Sequence, residues 1–380
     1  MSERKIGLDI VRATAISLVL AAHFLFEYTR YSSPAVDLKV ASVLFGFATL
    51  GVEIFFVLSG YLIGGILLKS IKNNDNRPTP SLIAGFWYRR WMRTLPNYVL
   101  FLVVFTLLTP NAVGLRGFAK YLLFAQNLKK PMVGSFFVVS WSLAVEEWFY
   151  LTLPILIYVF FRLAGRVRGA FLGAVTFLLI VPVVLRLTLP LGVPWDSWIR
   201  KVVVLRLDSL MWGVLVAALE RYRNPIFRKL TTSWVAGLGI LTAIAATAYV
   251  VSRLDDGSGE FRTRRPDLFV LPVMNIGCAL TLPLFSVLKS PRGWVAWVIT
   301  RVSLWSYSLY LSHIAVIMVV EKHLARWPLQ VRGIVAIVGA FAVSALVYHA
   351  FEAPILRLRD RKRNARQARG FPVVVGGTVE

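Results

Sequence analysis

The chain has 380 residues, 57% of them hydrophobic and only 16% charged, with a mean hydropathy of +0.67. A soluble domain carries about 25% charged residues, so this composition excludes an ordinary water-soluble enzyme. The 43 basic and 19 acidic residues give a net charge of +24, but they lie between long apolar runs, which fits topology signals and lipid-headgroup contacts and not nucleic-acid binding.

Taken in chain order, the apolar runs predict ten membrane spans, at about 8–28, 41–68, 95–109, 138–161, 169–190, 199–219, 233–251, 268–288, 303–320 and 331–354. Each approaches the roughly 20 residues that cross a bilayer. The first follows Met1–Lys5. His23, Glu27 and Tyr28 stand where a signal-peptide cleavage site would need small residues, so the run reads as a retained helix. Before the short third span, Leu82–Arg93 interleaves Phe86, Trp87, Tyr88 and Trp91 with Arg89, Arg90 and Arg93, a composition suited to an interfacial helix. The single cysteine, Cys278, sits in an apolar run as a packing residue and rules out a disulfide framework. Residues 1–357 read as one transmembrane domain, and 358–380, with Arg359, Arg361, Lys362, Arg363, Arg366 and Arg369, as a disordered basic cytoplasmic tail near anionic lipid. The expected fold is therefore an all-α integral membrane bundle. Lys and Arg are more numerous in the segments on the side of the N-terminus, which places both termini in the cytoplasm.

Ionisable residues inside spans are costly and mark candidate sites. Here they are Arg12, His23, Glu53, Glu146, Glu147, Arg206, Asp208, His313, His349 and Glu352. So many need partners, and a shared polar cavity would supply them. Glu53, Glu147, Arg206, Asp208 and His313 are candidates to line it. Glu53 has an equal alternative as half of a structural ion pair. His349 and Glu352, near the end of the last span, read as structural.

Arg12 and His23 are 11 residues apart. That is about 20° past three turns of helix, so they share a face, separated by about 16 Å of rise. A permanent cation at the mouth suits phosphate, and a deep imidazole suits a general base. Glu146 falls at a depth where it can fix the tautomer of His23. Taken singly, Arg12 also fits a snorkelling topology signal and His23 an interhelical hydrogen bond.

The motifs then form a set. They are Gly7-Leu8-Asp9-Ile10-Val11-Arg12 with His23; Gly51-Val52-Glu53-Ile54-Phe55-Phe56-Val57-Leu58-Ser59-Gly60-Tyr61; Arg90-Trp91-Met92-Arg93; Ser140-Trp141-Ser142-Leu143-Ala144-Val145-Glu146-Glu147; Arg206-Leu207-Asp208 before Gly213; Ser306-Tyr307-Ser308-Leu309-Tyr310-Leu311-Ser312-His313; and Phe351-Glu352-Ala353-Pro354. Their order, over residues 6–357, resembles the acyltransferase 3 family.

The resemblance implies a ten-helix bundle in the bacterial inner membrane that transfers an acyl group, often acetyl from acetyl-CoA, to a sugar hydroxyl of an exopolysaccharide or O-antigen unit, free or lipid-linked. It implies no metal. It puts weight on Arg12, His23, Arg90 and Arg93, the arginines toward the phosphates of the CoA. Some members carry a soluble esterase-like domain after the helices, and no such second transfer step is expected here. Catalysis by His23 as base and through an acyl-His intermediate both stay open. The rival reading is a transporter or flippase for a lipid-linked sugar, against which the lack of an internal repeat weighs.

Overall fold

The computed structural model describes residues 5–32, 38–134, 136–222, 224–254, 260–288 and 293–368, with side chains except those of 27–32 and 362–368. Thirteen α-helices follow in order: α1 Ile6–Ser32, α2 Leu38–Lys72, α3 Pro80–Leu108, α4 Leu115–Leu122, α5 Ser140–Ala164, α6 Val167–Leu187, α7 Asp208–Arg221, α8 Pro225–Leu230, α9 Ser233–Ser252, α10 Val270–Val287, α11 Trp294–His323, α12 Leu329–Val347 and α13 Ala353–Ala368. Among the described residues, nine helices are long and apolar enough to cross a bilayer, and the only β pairing is an isolated bridge between Pro194 and Arg262. This is an all-α integral membrane architecture. In hydrocarbon each backbone polar group must be satisfied within the segment, so spanning elements are helical.

The predicted span 199–219 is where the fold departs from the expectation of ten. Its first half is a π-helical turn, Trp195–Arg200, and a 3₁₀ turn, Val203–Leu205; regular helix resumes only in α7. The broken backbone finds its partners in the loop before α5. Val203 N–H donates to Asn127 O (2.9 Å), Val204 N–H to Leu128 O (3.2 Å), and Asn127 Nδ2 to the carbonyls of Lys201 (2.6 Å) and Trp141 (3.0 Å). Irregular backbone is tolerated where protein groups replace the missing ladder.

A second departure is α3. The proposed interfacial helix 82–93 and the short span after it are one continuous rod through Pro96. Thr79 caps its start, accepting from Leu82 N–H (3.3 Å), and Pro80 occupies its first turn. A third concerns the end of the chain. The last predicted span, 331–354, is α12 followed by a π turn, Tyr348–Glu352, and α13. Pro354 lacks the N–H that would continue the α ladder, and the chain widens just before it. α13 carries helix into the segment read as a tail; residues 369–380 lie outside the described ones.

Helices α2 and α7 cross at contact distance. A Cβ on Gly60 would collide with the carbonyl of Leu210, and one on Gly213 with that of Val57. Small residues let helix backbones approach in a membrane, where packing supplies most of the association energy. The core around α3 and α5 is aromatic: Phe137 stacks on Phe105 (ring centroids 4.5 Å apart) and on Tyr98 (5.5 Å). These contacts hold α3 against the turn that leads into α5.

Candidate active site

A pocket opens between α1, α2, α3, α5 and α11, with about 880 Å³ of space including its mouth. Arg12, Arg90, Arg93 and Glu146 are its charged lining residues, so three guanidiniums face one carboxylate. The lining surplus is therefore cationic.

Each arginine is held from behind. Arg12 Nη1 donates to Ser303 Oγ (3.2 Å) and lies 3.8 Å from Asp9, to which Ser303 in turn donates (2.6 Å). Arg90 lies over the ring of Tyr150, 4.6 Å from its centroid, a cation–π arrangement. Arg93 lies one turn further along α3, in the field of Glu352, whose Oε2 accepts from Asn97 (2.8 Å) and Ser308 (2.9 Å). Planar guanidiniums pre-positioned in this way suit bidentate binding of phosphate or carboxylate.

Glu146 keeps to this pocket. Its carboxylate accepts from the Tyr150–Ser59 hydroxyl pair, in which one hydroxyl donates to the other across 2.5 Å. His23 lies elsewhere. Its Nδ1 is 2.8 Å from Val19 O, and its ring sits edge-on to that of His313 with centroids 5.0 Å apart. Among the described residues no hydrogen bond joins His23 to Glu146, so the expected Glu146–His23 pair is replaced by two separate groupings. The physical reason is reach: Glu146 is engaged by partners on α2 and its own helix, while the ring neighbour of His23 comes from α11.

Tyr310 connects the two groupings. It lines the pocket, its hydroxyl is 2.6 Å from Ser142 Oγ and 3.2 Å from Val139 O, and its ring centroid is 6.0 Å from that of His313. His313 Nδ1 is 3.0 Å from Leu309 O, while its buried Nε2 has no hydrogen-bond partner among the described residues. An unpaired buried polar atom costs about 1–3 kcal/mol. On the far side of His23, Arg200 packs over Trp141 (4.7 Å) and Phe45 (5.0 Å), and Asp196 ion-pairs with both Arg200 and Lys201, whose positive field reaches His23. Burial alone would raise the Asp196 carboxyl; the two cations outweigh it and hold it below its ordinary value.

The other buried charges do not line this pocket. Glu53 takes both of its hydrogen bonds from Arg206 Nη2 (2.5 and 2.6 Å), and Asp208 is bound in fork fashion by Arg186 (2.6 and 3.1 Å). Glu53 on α2 is thus paired with the turn before α7, and Asp208 on α7 with α6. Glu147 is buried beside Thr94, off the pocket wall. His349 packs against Trp305 and Tyr348, and Cys278 is a buried free thiol. Sequence reasoning missed Arg186, although a cation in an apolar run was the signal. Ser59 and Tyr310 stand within the motifs without a role of their own, and Tyr150 lies three residues beyond one of them.

A family model described as an acyltransferase domain matches residues 5–349. The chain belongs to the acyltransferase 3 family. The pocket, the arginines and His23 all fall inside the matched region. The chain is 31% identical to the peptidoglycan O-acetyltransferase OatA of Listeria monocytogenes over 180 residues, 41% of this chain but only 24% of that protein. It is 26% identical to the acyltransferase MdmB of Streptomyces mycarofaciens over 371 residues, 86% of each chain. No solved structure matches the chain.

Proposed function

We propose that this protein is a membrane-bound O-acyltransferase that moves an acyl group, acetyl in the simplest case, from acyl-CoA on the cytoplasmic face to a hydroxyl of a carbohydrate. The observation that carries the reading is the arginine-lined pocket whose tyrosine wall leads to a histidine. In this reading Arg12, Arg90 and Arg93 bind the anionic end of the donor, and Glu146 holds Arg90 and Arg93 in place as their counter-charge. The pantetheine arm then covers the rise of about 16 Å from Arg12 toward His23.

His23 Nδ1 faces a carbonyl, which only accepts, so the proton sits on Nδ1 and Nε2 is a free base. Nε2 takes the proton of the acceptor hydroxyl as its oxygen attacks the thioester carbonyl. The C–S bond breaks, and the proton passes to the departing sulfur, giving ester and thiol. A direct transfer of this kind needs no acyl-enzyme. Incubation with labelled donor alone leaves the protein unlabelled in the direct route and labels His23 in the covalent one.

A sugar acceptor is supported by the name of OatA, which acts on peptidoglycan, and the plasma (inner) membrane is supported by the apolar helices and the bacterial relatives. Family membership favours transfer over sugar transport. The test is the ester-linked acetyl content of cell-surface polysaccharide with the gene present, deleted, and replaced by His23→Ala at equal membrane abundance. Loss of acetyl in the deletion and in His23→Ala is expected. Wild-type acetylation by His23→Ala removes the site assignment.

A further inference from the structure

The donor in the acyl-CoA reading carries phosphate at two places, the diphosphate and the ribose 3′-phosphate. With the pantetheine arm directed from Arg12 toward His23, the 3′-phosphate lies on the other side of the diphosphate, toward the mouth of the pocket. Arg12, Arg90 and Arg93 line the pocket itself. A further guanidinium beyond them comes from the last helix. Helix α13 packs on α3, and two contacts set its course. Glu352, in the π turn that leads into α13, accepts from Asn97 Nδ2 (2.8 Å), and Arg359 Nη1 donates to Arg89 O (3.5 Å). The two helices are therefore antiparallel, with α13 following α3 from Asn97 back to Arg89. Seven residues of helix return Arg359 to nearly the face of Glu352, about 10 Å further on. The charges of both residues act on Arg93, so Arg359 stands beside the stretch of α3 that carries Arg90 and Arg93. In the orientation read from the charges, this is the cytoplasmic side of the pocket.

Arg359 is half-buried and held in place. Asp360 accepts from its Nε (3.0 Å) and Nη2 (3.2 Å) along one edge of the guanidinium, and Arg89 O accepts from Nη1. A guanidinium has five N–H donors. Among the described residues, one N–H on each Nη is left, and two are what a phosphate takes in a fork. Arg357 lies two positions earlier, about 200° around the helix, and is exposed. It shares the charge of α13 and not the direction of Arg359.

We propose that Arg359 binds the 3′-phosphate of the donor nucleotide, so that the C-terminal helix completes the donor site and the protein selects CoA over 3′-dephospho-CoA. The subsite rests on the acyl-CoA reading above. Helix α13 begins after the matched residues 5–349, so family membership does not supply it. The division of labour follows from the chain: α1 and α3 bring the arginines of the pocket, and α13 brings the one that stands where the nucleotide end emerges.

The test is direct binding to the purified protein in lipid nanodiscs, with CoA and 3′-dephospho-CoA as the two probes, so that no acceptor is needed. Wild type is expected to bind CoA about ten- to a hundredfold more tightly, the scale of one charge-assisted contact. Arg359→Ala is expected to lose that preference by weakening CoA alone, with 3′-dephospho-CoA binding and thermal unfolding near wild type. Arg359→Lys keeps the charge without the fork and should keep part of the preference. Arg357→Ala should leave both affinities at the wild-type values. Equal affinity of wild type for the two probes overturns the proposal, as does an Arg359→Ala protein that weakens both alike. A loss of preference in Arg357→Ala as large as in Arg359→Ala also overturns it, because the attraction would then belong to the charge of the whole helix. The two levels separate cleanly. If CoA itself fails to bind wild type, the acyl-CoA reading fails and the subsite with it. If CoA binds without preference, only the 3′-phosphate subsite fails.

Discussion

Two sets of arginines share this bundle and are treated in opposite ways. Arg206 and Arg186 are each matched to one carboxylate, Glu53 and Asp208, by two hydrogen bonds, in places that are almost fully dry. Arg12, Arg90 and Arg93 face a pocket whose lining offers them a single carboxylate. A guanidinium carries five donors in a fixed fork. Where a carboxylate takes the guanidinium's hydrogen bonds in the dry interior, the charge ties two elements together; at the pocket, the cationic surplus is available to an anion from outside. Both sets read alike as charges in the sequence; in the fold the first is buried with one carboxylate each, and the second is half-buried at a pocket.

The largest effect is expected where a closed pair is opened. Arg206→Met leaves Glu53 buried and unpaired, and breaking such a pair costs about 3–5 kcal/mol. The purified protein should unfold at much lower temperature or fail to accumulate. The double change Glu53→Leu with Arg206→Met removes both charges and should restore most of the stability, with acetyl transfer retained. Loss of activity in a stable double variant would move Glu53 and Arg206 to the functional side of the comparison.

Next in size are the pocket arginines. Arg90→Ala should leave thermal unfolding near wild type and raise KM for acetyl-CoA, since a charge-assisted hydrogen bond contributes about 1.5–3 kcal/mol, roughly ten- to a hundredfold. Arg90→Lys should fall between, because an ammonium keeps the charge without the fork. An Arg90→Ala protein that unfolds as readily as Arg206→Met would erase the distinction between the two sets.

Much of this was legible in the residues. The helices announce themselves because a membrane permits few alternatives, and the shared face of Arg12 and His23 needs only helical periodicity. The pairing of charges was not legible. Glu53 and Arg206 are 153 positions apart and Asp208 bonds Arg186 from the helix before it, so only the packing of the bundle chooses who meets whom. The same holds for Glu146, whose depth in its span matched that of His23 while its partners turned out to be Ser59 and Tyr150. Pro190, Gly192 and Pro194 stand just ahead of the break before α7, but what holds the broken backbone is Asn127 and Leu128, remote in sequence. The continuous α3 shows the opposite case, a proline that reads as a boundary and is not one because Pro96 lies within a helix packed along its length.

The smallest expected effect tests a cluster that lies between the two sets. Asp196 is one carboxylate shared by two cations, Arg200 and Lys201, in the turn beyond His23. Burial acts to raise its pKa, yet the two cations prevail and the folded value lies below the ordinary one. A carboxyl depressed on folding adds stability that is present above its unfolded pKa and disappears as pH falls through its folded pKa. At neutral pH, then, wild type should unfold at a slightly higher temperature than Asp196→Asn, and the gap should close only in strong acid, below the usual aspartate range. Because other carboxyls titrate in both proteins alike, the difference between the two melting curves isolates this one group. A gap that stays constant down to low pH would mean that Asp196 acts by packing and not by charge.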